Sequence, residues 1–138
     1  MIVPEHDQVY FAYFVPYSNE RHLDLIAKCA SNPLCDVRSV GLSLGKVYAF
    51  EYIPKHLLFI GDCIVSWSML LDGRDIDMVT IGTGPLKIWA IARQHPGESM
   101  AEWWMEGYLL RLMDTDDALI RKALQEATFY VVPNMNPG

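Results

Sequence analysis

The pattern of hydrophobic and polar positions along the chain predicts five strands and three helices. Strands are predicted at residues 9–15, 36–42, 76–81, 86–92 and 128–132, where β-branched and aromatic residues cluster or alternate with polar ones. Helices are predicted from an N-cap at Ser18 to the Asn32-Pro33 pair, over residues 99–112, and over residues 118–127 behind the capping acids at 114–117.

The order of these elements indicates an α/β protein. From residue 86 onward it reads strand, helix, helix, strand, and the last strand is apolar throughout, which is typical of a strand covered on both faces. We therefore expect a mixed, mostly parallel central sheet flanked by helices. Residues 45–71 are apolar without a clean period, so the pattern leaves two short strands and an apolar helix equally open.

Composition narrows the class of protein. The 138 residues are 51% hydrophobic, enough for one globular domain with a core, and the net charge of −6 argues against nucleic-acid binding. Three cysteines are too few for a disulfide framework and fit a reducing cytoplasm. The longest apolar stretch, residues 57–71, is broken by Asp62 and is shorter than the roughly 20 residues of a membrane span, so no membrane partner is expected.

The residues with a candidate functional role follow the strand predicted at 86–92. They are His95 and Glu98, which are separated by Pro96 and Gly97 and stand directly before a predicted helix. Imidazole nitrogen and carboxylate oxygen are both zinc ligands, and a catalytic zinc needs three such ligands and an open position. The alternative is structural: Glu98 would cap the following helix, and His95 would be a hydrogen-bonded loop residue. The residues alone leave both interpretations open.

Residues 92–103 resemble the first zinc-binding motif of the M14 metallocarboxypeptidases, and within them most closely the cytosolic carboxypeptidase-like branch and its bacterial relatives. Three further stretches agree with that family. They are the strand and turn at residues 10–18, the Gly-Arg-Asp hairpin within 72–77, and the Pro-Asn-Met-Asn-Pro stretch within 132–137.

The resemblance implies a partial carboxypeptidase-like fold over residues 1–138, with His95 and Glu98 as zinc ligands and a peptide or protein C-terminal tail as substrate. In complete members the metal polarises the scissile carbonyl, and a downstream glutamate and arginine act as general base and carboxylate-binding residue. Neither downstream residue is matched in this sequence.

The sequence departs from the family pattern in three places. The third zinc ligand, a downstream histidine, is not matched, and His6, His22 and His56 precede the motif and are predicted to be surface residues. The family's Asn-Pro-Asp-Gly is here Asn-Pro-Gly at residues 136–138. Residues 45–71 are predicted to be an insertion.

The other residues considered for a functional role are predicted to stabilise the fold instead. Trp103 and Trp104 are predicted to pack in the core or at its rim, and Arg93 and Arg74 to form ion pairs with nearby acids. Cys63 has no basic partner in view, so no nucleophilic role is expected.

Three hypotheses follow for the chain. The first is the N-terminal part of a zinc metallocarboxypeptidase catalytic domain, with little or no activity as residues 1–138 alone. The second is a catalytically inactive remnant or small interaction domain that forms a homo-oligomer through its sheet edge. The third is a small α/β binding domain in which Glu98 is only a helix cap.

Overall fold

A computed structural model of the chain describes residues 9–42 and 73–137. The predicted insertion at 45–71, together with Cys63, His6 and His56, lies outside the described residues.

The described chain forms three helices and four strands. In chain order they are α1 (Asn19–Ala30), β1 (Cys35–Leu42), β2 (Asp75–Ile81), β3 (Leu86–Ile91), α2 (Met100–Leu112), α3 (Ala118–Glu126) and β4 (Ala127–Val132). Both predicted caps are confirmed, because Ser18 accepts a hydrogen bond from the Arg21 amide and Asp117 accepts one from the Leu119 amide. None of the described helices combines the length and the apolarity that crossing a membrane requires.

The strand predicted at residues 9–15 is wrong. These residues are not part of the described sheet, and Tyr10 and Tyr13 are 90% and 94% exposed. Aromatic composition favours a strand only where the segment pairs with a neighbouring strand and packs one face, and residues 9–15 pair with none of the described strands.

The four strands form one sheet in the order β1-β2-β4-β3. The predicted mixed α/β class is confirmed, but the sheet is not mostly parallel in its described part: β1 and β4 both pair antiparallel with β2, and only β3 and β4 are parallel. The parallel pair is the one whose strands are joined through helices α2 and α3, as a parallel crossover requires.

All three helices contribute to one core against one face of the sheet. Val79, Ile81, Phe129 and Val131 form the sheet side, and the helices add Leu25, Cys29, Met105, Leu109, Leu112 and Leu124. The predicted burial of β4 is confirmed, since five of its six residues are buried between β2 and β3.

The turn between β2 and β3 packs tightly against the start of β4. Gly82 has φ 94°, in the region that favours glycine, and a Cβ on Gly84 would lie 2.0 Å from the Ala127 amide nitrogen. This close approach sets the register in which β3 enters the sheet and therefore where its carboxyl end emerges.

Candidate functional site

His95 and Glu98 lie in the loop that follows β3. The backbone of Ala92 is fixed on both sides, because its amide donates to Val132 O at 3.0 Å and its carbonyl accepts from the Met135 amide at 2.9 Å. Residues 93–98, here called the motif loop, then carry the chain away from the sheet to the start of α2.

The structure brings the two predicted zinc ligands together. His95 Nδ1 lies 3.0 Å from Glu98 Oε2, and the side chains are 76% and 45% exposed. Zinc holds histidine nitrogen and carboxylate oxygen at about 2.0–2.2 Å in a tetrahedral arrangement, which sets two ligand atoms about 3.3 Å apart. The separation of the two atoms is thus close to that of two ligands on one zinc ion, and it is also the distance of a hydrogen bond between a loop histidine and Glu98.

A third ligand is not found within residues 9–42 and 73–137, where no group of three His, Cys, Asp or Glu side chains could hold a metal ion. The exposure of the pair leaves its outer side open. The arrangement is thus two candidate ligands on one loop, facing solvent.

The helix-cap interpretation of Glu98 gains no support from the geometry. The N-cap of α2 is Ser99, whose side chain makes no capping hydrogen bond and instead donates to Val15 O at 2.9 Å. The carboxylate of Glu98 faces His95.

Behind the motif loop lies a buried polar network that sequence reasoning missed. The ring nitrogens of His22 lie 3.0 Å from Glu102 Oε1 and 3.1 Å from Asp77 Oδ2, and His22 and Glu102 are only 3% and 1% exposed. The prediction of His22 as a surface residue is wrong. A signal was available: His22 precedes Leu25 by three residues and Cys29 by seven, which places all three on one face of α1.

His22 carries a positive charge at neutral pH. Burial lowers its pKa, but the hydrogen bonds to the Asp77 and Glu102 carboxylates outweigh burial and raise the pKa to about 9. Two carboxylates are therefore matched by two cations, the His22 imidazolium and the Arg93 guanidinium that pairs with Glu102.

Arg93 connects this network to the motif loop. Its Nη1 forms an ion pair with Glu102 Oε2 and donates to Tyr17 O at 3.3 Å, and its Nε donates to Pro96 O at 2.9 Å. The predicted ion pair of Arg93 with a nearby acid is confirmed.

A cleft of about 210 Å³ lies beside the motif loop, with Arg74, Arg93, Pro96 and Asn136 among its lining residues. Arg74 Nη1 donates to Pro137 O at 3.2 Å, and Asn136 Nδ2 donates to Gln94 O at 3.1 Å. The Oδ1 atom of Asn136 is buried and has no hydrogen-bond partner in the described part of the chain. The ion pair predicted for Arg74 stays a prediction.

The two tryptophans pack as predicted, one deeper than the other. Trp103 is half-buried, with its ring edge-to-face with Tyr17 at 5.1 Å and its indole N–H donating to Val15 O. Trp104 is 61% exposed at the rim and stacks on Tyr108.

Residues 69–138 match the model of the zinc carboxypeptidase family. An uncharacterised protein of Zymomonas mobilis is 45% identical over 134 residues, which is 97% of this chain and 28% of that protein. A crystal structure from Shewanella denitrificans, assigned as carboxypeptidase A, shares 41% identity with a TM-score of 0.68 over 91% of this chain and 27% of its own. A metallo-carboxypeptidase from Pseudomonas aeruginosa, in complex with (2-guanidinoethylmercapto)succinic acid, shares 37% identity with a TM-score of 0.64 over 88% of this chain and 26% of its own.

The chain thus spans little more than a quarter of the length of these relatives. Its match to the family model covers half of its residues and includes the motif loop, the helices behind it and β4. The chain belongs to the zinc carboxypeptidase family.

Proposed function

We propose that the protein carrying this chain is a zinc-dependent metallocarboxypeptidase that hydrolyses C-terminal residues from peptides or protein tails, with His95 and Glu98 as two of its metal ligands. The observation that carries the proposal is the 3.0 Å approach of an exposed imidazole nitrogen to a carboxylate oxygen, inside the region that matches the family.

The residues of this chain would contribute ligation and charge. His95 would bind the ion through Nδ1, and the carboxylate of Glu98 would offset part of its positive charge. Zinc bound there would supply a Lewis acid for the scissile carbonyl and lower the pKa of a bound water. The exposed outer side of the pair leaves room for a peptide end to approach.

The ligand of the Pseudomonas aeruginosa protein suggests a probe for the substrate class. Its name describes a guanidino group and a succinic acid, which together resemble a basic side chain beside a terminal carboxylate. A peptide that ends in free arginine, compared with the same peptide amidated at its C-terminus, therefore tests whether a free carboxylate is required.

Several finer assignments belong to the same proposal. Residues 92–103 support the cytosolic carboxypeptidase-like branch, and the small number of cysteines supports a cytoplasmic location. We also include residues 1–138 as part of a catalytic domain, with the segment at 45–71 as an insertion.

Zinc affinity tests the ligand assignment directly. We expect His95→Ala and Glu98→Ala each to weaken zinc binding by about tenfold or more, because each removes one of the donors to the ion. The measurement is competition with a chromophoric chelator. Glu126→Ala is the matched control, since Glu126 is an exposed carboxylate that pairs with Lys122 on α3, far along the chain from the loop. Equal affinities in all four proteins would contradict the assignment.

Peptide hydrolysis tests the activity of the chain as given. We expect little or no release of a C-terminal residue by residues 1–138 alone, because two ligands rarely hold a catalytic zinc and no third lies among the described residues. Release of free arginine from a peptide is the measurement. Robust turnover that disappears in His95→Ala would show that the chain completes the site by itself.

A further inference from the structure

Arg93 holds a backbone conformation that needs external support. It is the one residue other than glycine with positive φ, 51°, in the described part of the chain. Left-handed backbone is costly for a residue with a Cβ and persists where surrounding contacts hold it. Arg93 precedes the first proposed zinc ligand by two residues, so its backbone direction sets the path on which His95 and Glu98 are placed.

The guanidinium of Arg93 ties three parts of the molecule together. Its Nε donates a hydrogen bond of 2.9 Å to Pro96 O, the carbonyl of a loop residue that lies between the two proposed ligands in the sequence. Its bond to Tyr17 O reaches the segment before α1, and its ion pair with Glu102 reaches the buried side of α2.

Glu102 is itself anchored in the core. Its second carboxylate oxygen lies 3.0 Å from His22 Nδ1, and His22 Nε2 lies 3.1 Å from Asp77 Oδ2 on β2. The chain of contacts therefore runs from the sheet through α1 and α2 to the motif loop. A buried carboxylate that is paired on both oxygens cannot easily release its partners, so Arg93 is held by a rigid anchor.

We propose that Arg93, held by Glu102, is a positioning residue that fixes the motif loop and thereby the separation of the His95 and Glu98 donor atoms. The inference rests on the proposed zinc site. Residues behind metal ligands determine how precisely those ligands are presented, and this matters most where the ligands are solvent-exposed on a loop. Arg93 contacts the loop backbone and leaves the ligand atoms free.

A second arginine, Arg21 on α1, also pairs with a glutamate of α2 and supplies a matched control. Arg21 forms a bidentate pair with Glu106, one turn further along α2 than Glu102, at 2.7 and 2.8 Å. Within the described residues, Arg21 and Glu106 form no hydrogen bond or ion pair with the motif loop. Arg93→Lys and Arg21→Lys thus each replace a guanidinium by an ammonium in an arginine–glutamate pair, and only the pair of Arg93 touches the loop.

The experiment compares these two variants by two measurements. The first is hydrogen exchange of the Glu98 amide, which donates to His95 O at 3.0 Å within the loop; the second is zinc affinity by chelator competition. For Arg93→Lys we expect about tenfold faster exchange at Glu98 and zinc binding weaker by about ten- to a hundredfold. For Arg21→Lys both values should stay at those of the unmodified chain. Unchanged loop exchange in folded Arg93→Lys, or equal effects in both variants, would overturn the proposal.

A double variant guards against loss of the fold. Arg93→Met combined with Glu102→Gln leaves no unpaired buried charge, because His22 and Asp77 still balance each other and glutamine can still accept from the His22 ring. We expect it to reproduce the faster exchange and weaker zinc binding, and a protected Glu98 amide would overturn the proposal. Loop exchange is read without metal, so it decides whether Arg93 fixes the loop even where two ligands prove too few to hold zinc in residues 1–138.

Discussion

The imidazolium of His22 lies between a carboxylate on β2 and a carboxylate on α2, and its charge holds the two together. Without it, Asp77 and Glu102 would place two anions against one guanidinium in a nearly dry environment. Unpaired buried charges are among the most destabilising features that a fold can contain. The charge of His22 therefore affects how α1, α2 and β2 are held together.

Protein stability is expected to fall as pH rises past neutrality. The pKa of His22 is about 9 in the folded chain and about 6.5 in the unfolded chain. A raised pKa stabilises the fold fully below pH 6.5, and that contribution is lost as the pH rises through 9. Over this window we expect the free energy of unfolding, from urea titrations, to drop by up to about 3 kcal/mol.

Two variants identify the residue responsible. His22→Gln should flatten the pH dependence between 6.5 and 9, whereas His95→Gln, at an exposed position, should retain it. A slope that survives in His22→Gln would show that another group controls this transition.

At the scale of elements, the tightest constraint is the backbone contact between the β2–β3 turn and β4. A Cβ on Gly84 would lie 1.9 Å from Glu126 C and 2.0 Å from Ala127 N, and backbone atoms cannot rotate away as a side chain can. We expect Gly84→Ala to lower the free energy of unfolding by about 1–3 kcal/mol, the usual range for overpacking. Chemical denaturation measures this value.

Gly107 provides the contrasting substitution. It lies inside α2, and its Cβ would meet nothing within 4 Å. Gly107→Ala should therefore raise the free energy of unfolding by about 0.5–1 kcal/mol, because alanine favours the helix. If both substitutions destabilised the chain equally, close approach at Gly84 would not be the reason.

Elements with local signals were predictable from the sequence, and those that depend on partners were not. Ser18 and Asp117 mark helix starts through their own side chains, so the sequence predicts the first residues of α1 and α3 correctly. The segment at 9–15 has strand composition, but strand formation depends on a neighbour that composition does not specify. Likewise, β2 gives no local sign that it pairs antiparallel on both sides.

The candidate site also has one part that the sequence predicts and one part that depends on distant contacts. His95 and Glu98 are three residues apart, so their proximity could be read from the sequence and from the family resemblance. The contacts behind them join residues that are 55 and 80 positions apart along the chain, and no periodic pattern reports such pairs. Only the position of His22 on the apolar face of α1 hinted at its burial.

At the scale of the whole molecule, the described sheet has an exposed apolar edge. Among the described strands, β3 has a hydrogen-bonded partner on one side only, and Leu86, Ile88 and Ile91 are 61%, 39% and 37% exposed. Within the described sheet, β4 is paired on both sides, and β1 and β3 form its two edges. Such edges favour pairing with another strand.

Self-association of residues 1–138 is therefore expected through β3. Size-exclusion chromatography with light scattering should show an average mass that rises with protein concentration, and Ile88→Lys should move the population toward monomer, since lysine protects strand edges. Leu119→Lys is the control, because Leu119 is 75% exposed on α3, away from the sheet edge. A monodisperse monomer at all concentrations would exclude edge pairing.

The contacts that shape the motif loop also determine when it can form. Its two proposed ligands are close in sequence, yet the loop is held by Arg93 to Tyr17, 76 residues away, and by Gln94 to Asn136, 42 residues away. Contacts over such separations form only after the chain has closed large loops, which makes them late events in folding. The loop would therefore reach its final shape among the last parts of the molecule, and a metal ion would meet paired donors only in a chain that had already folded.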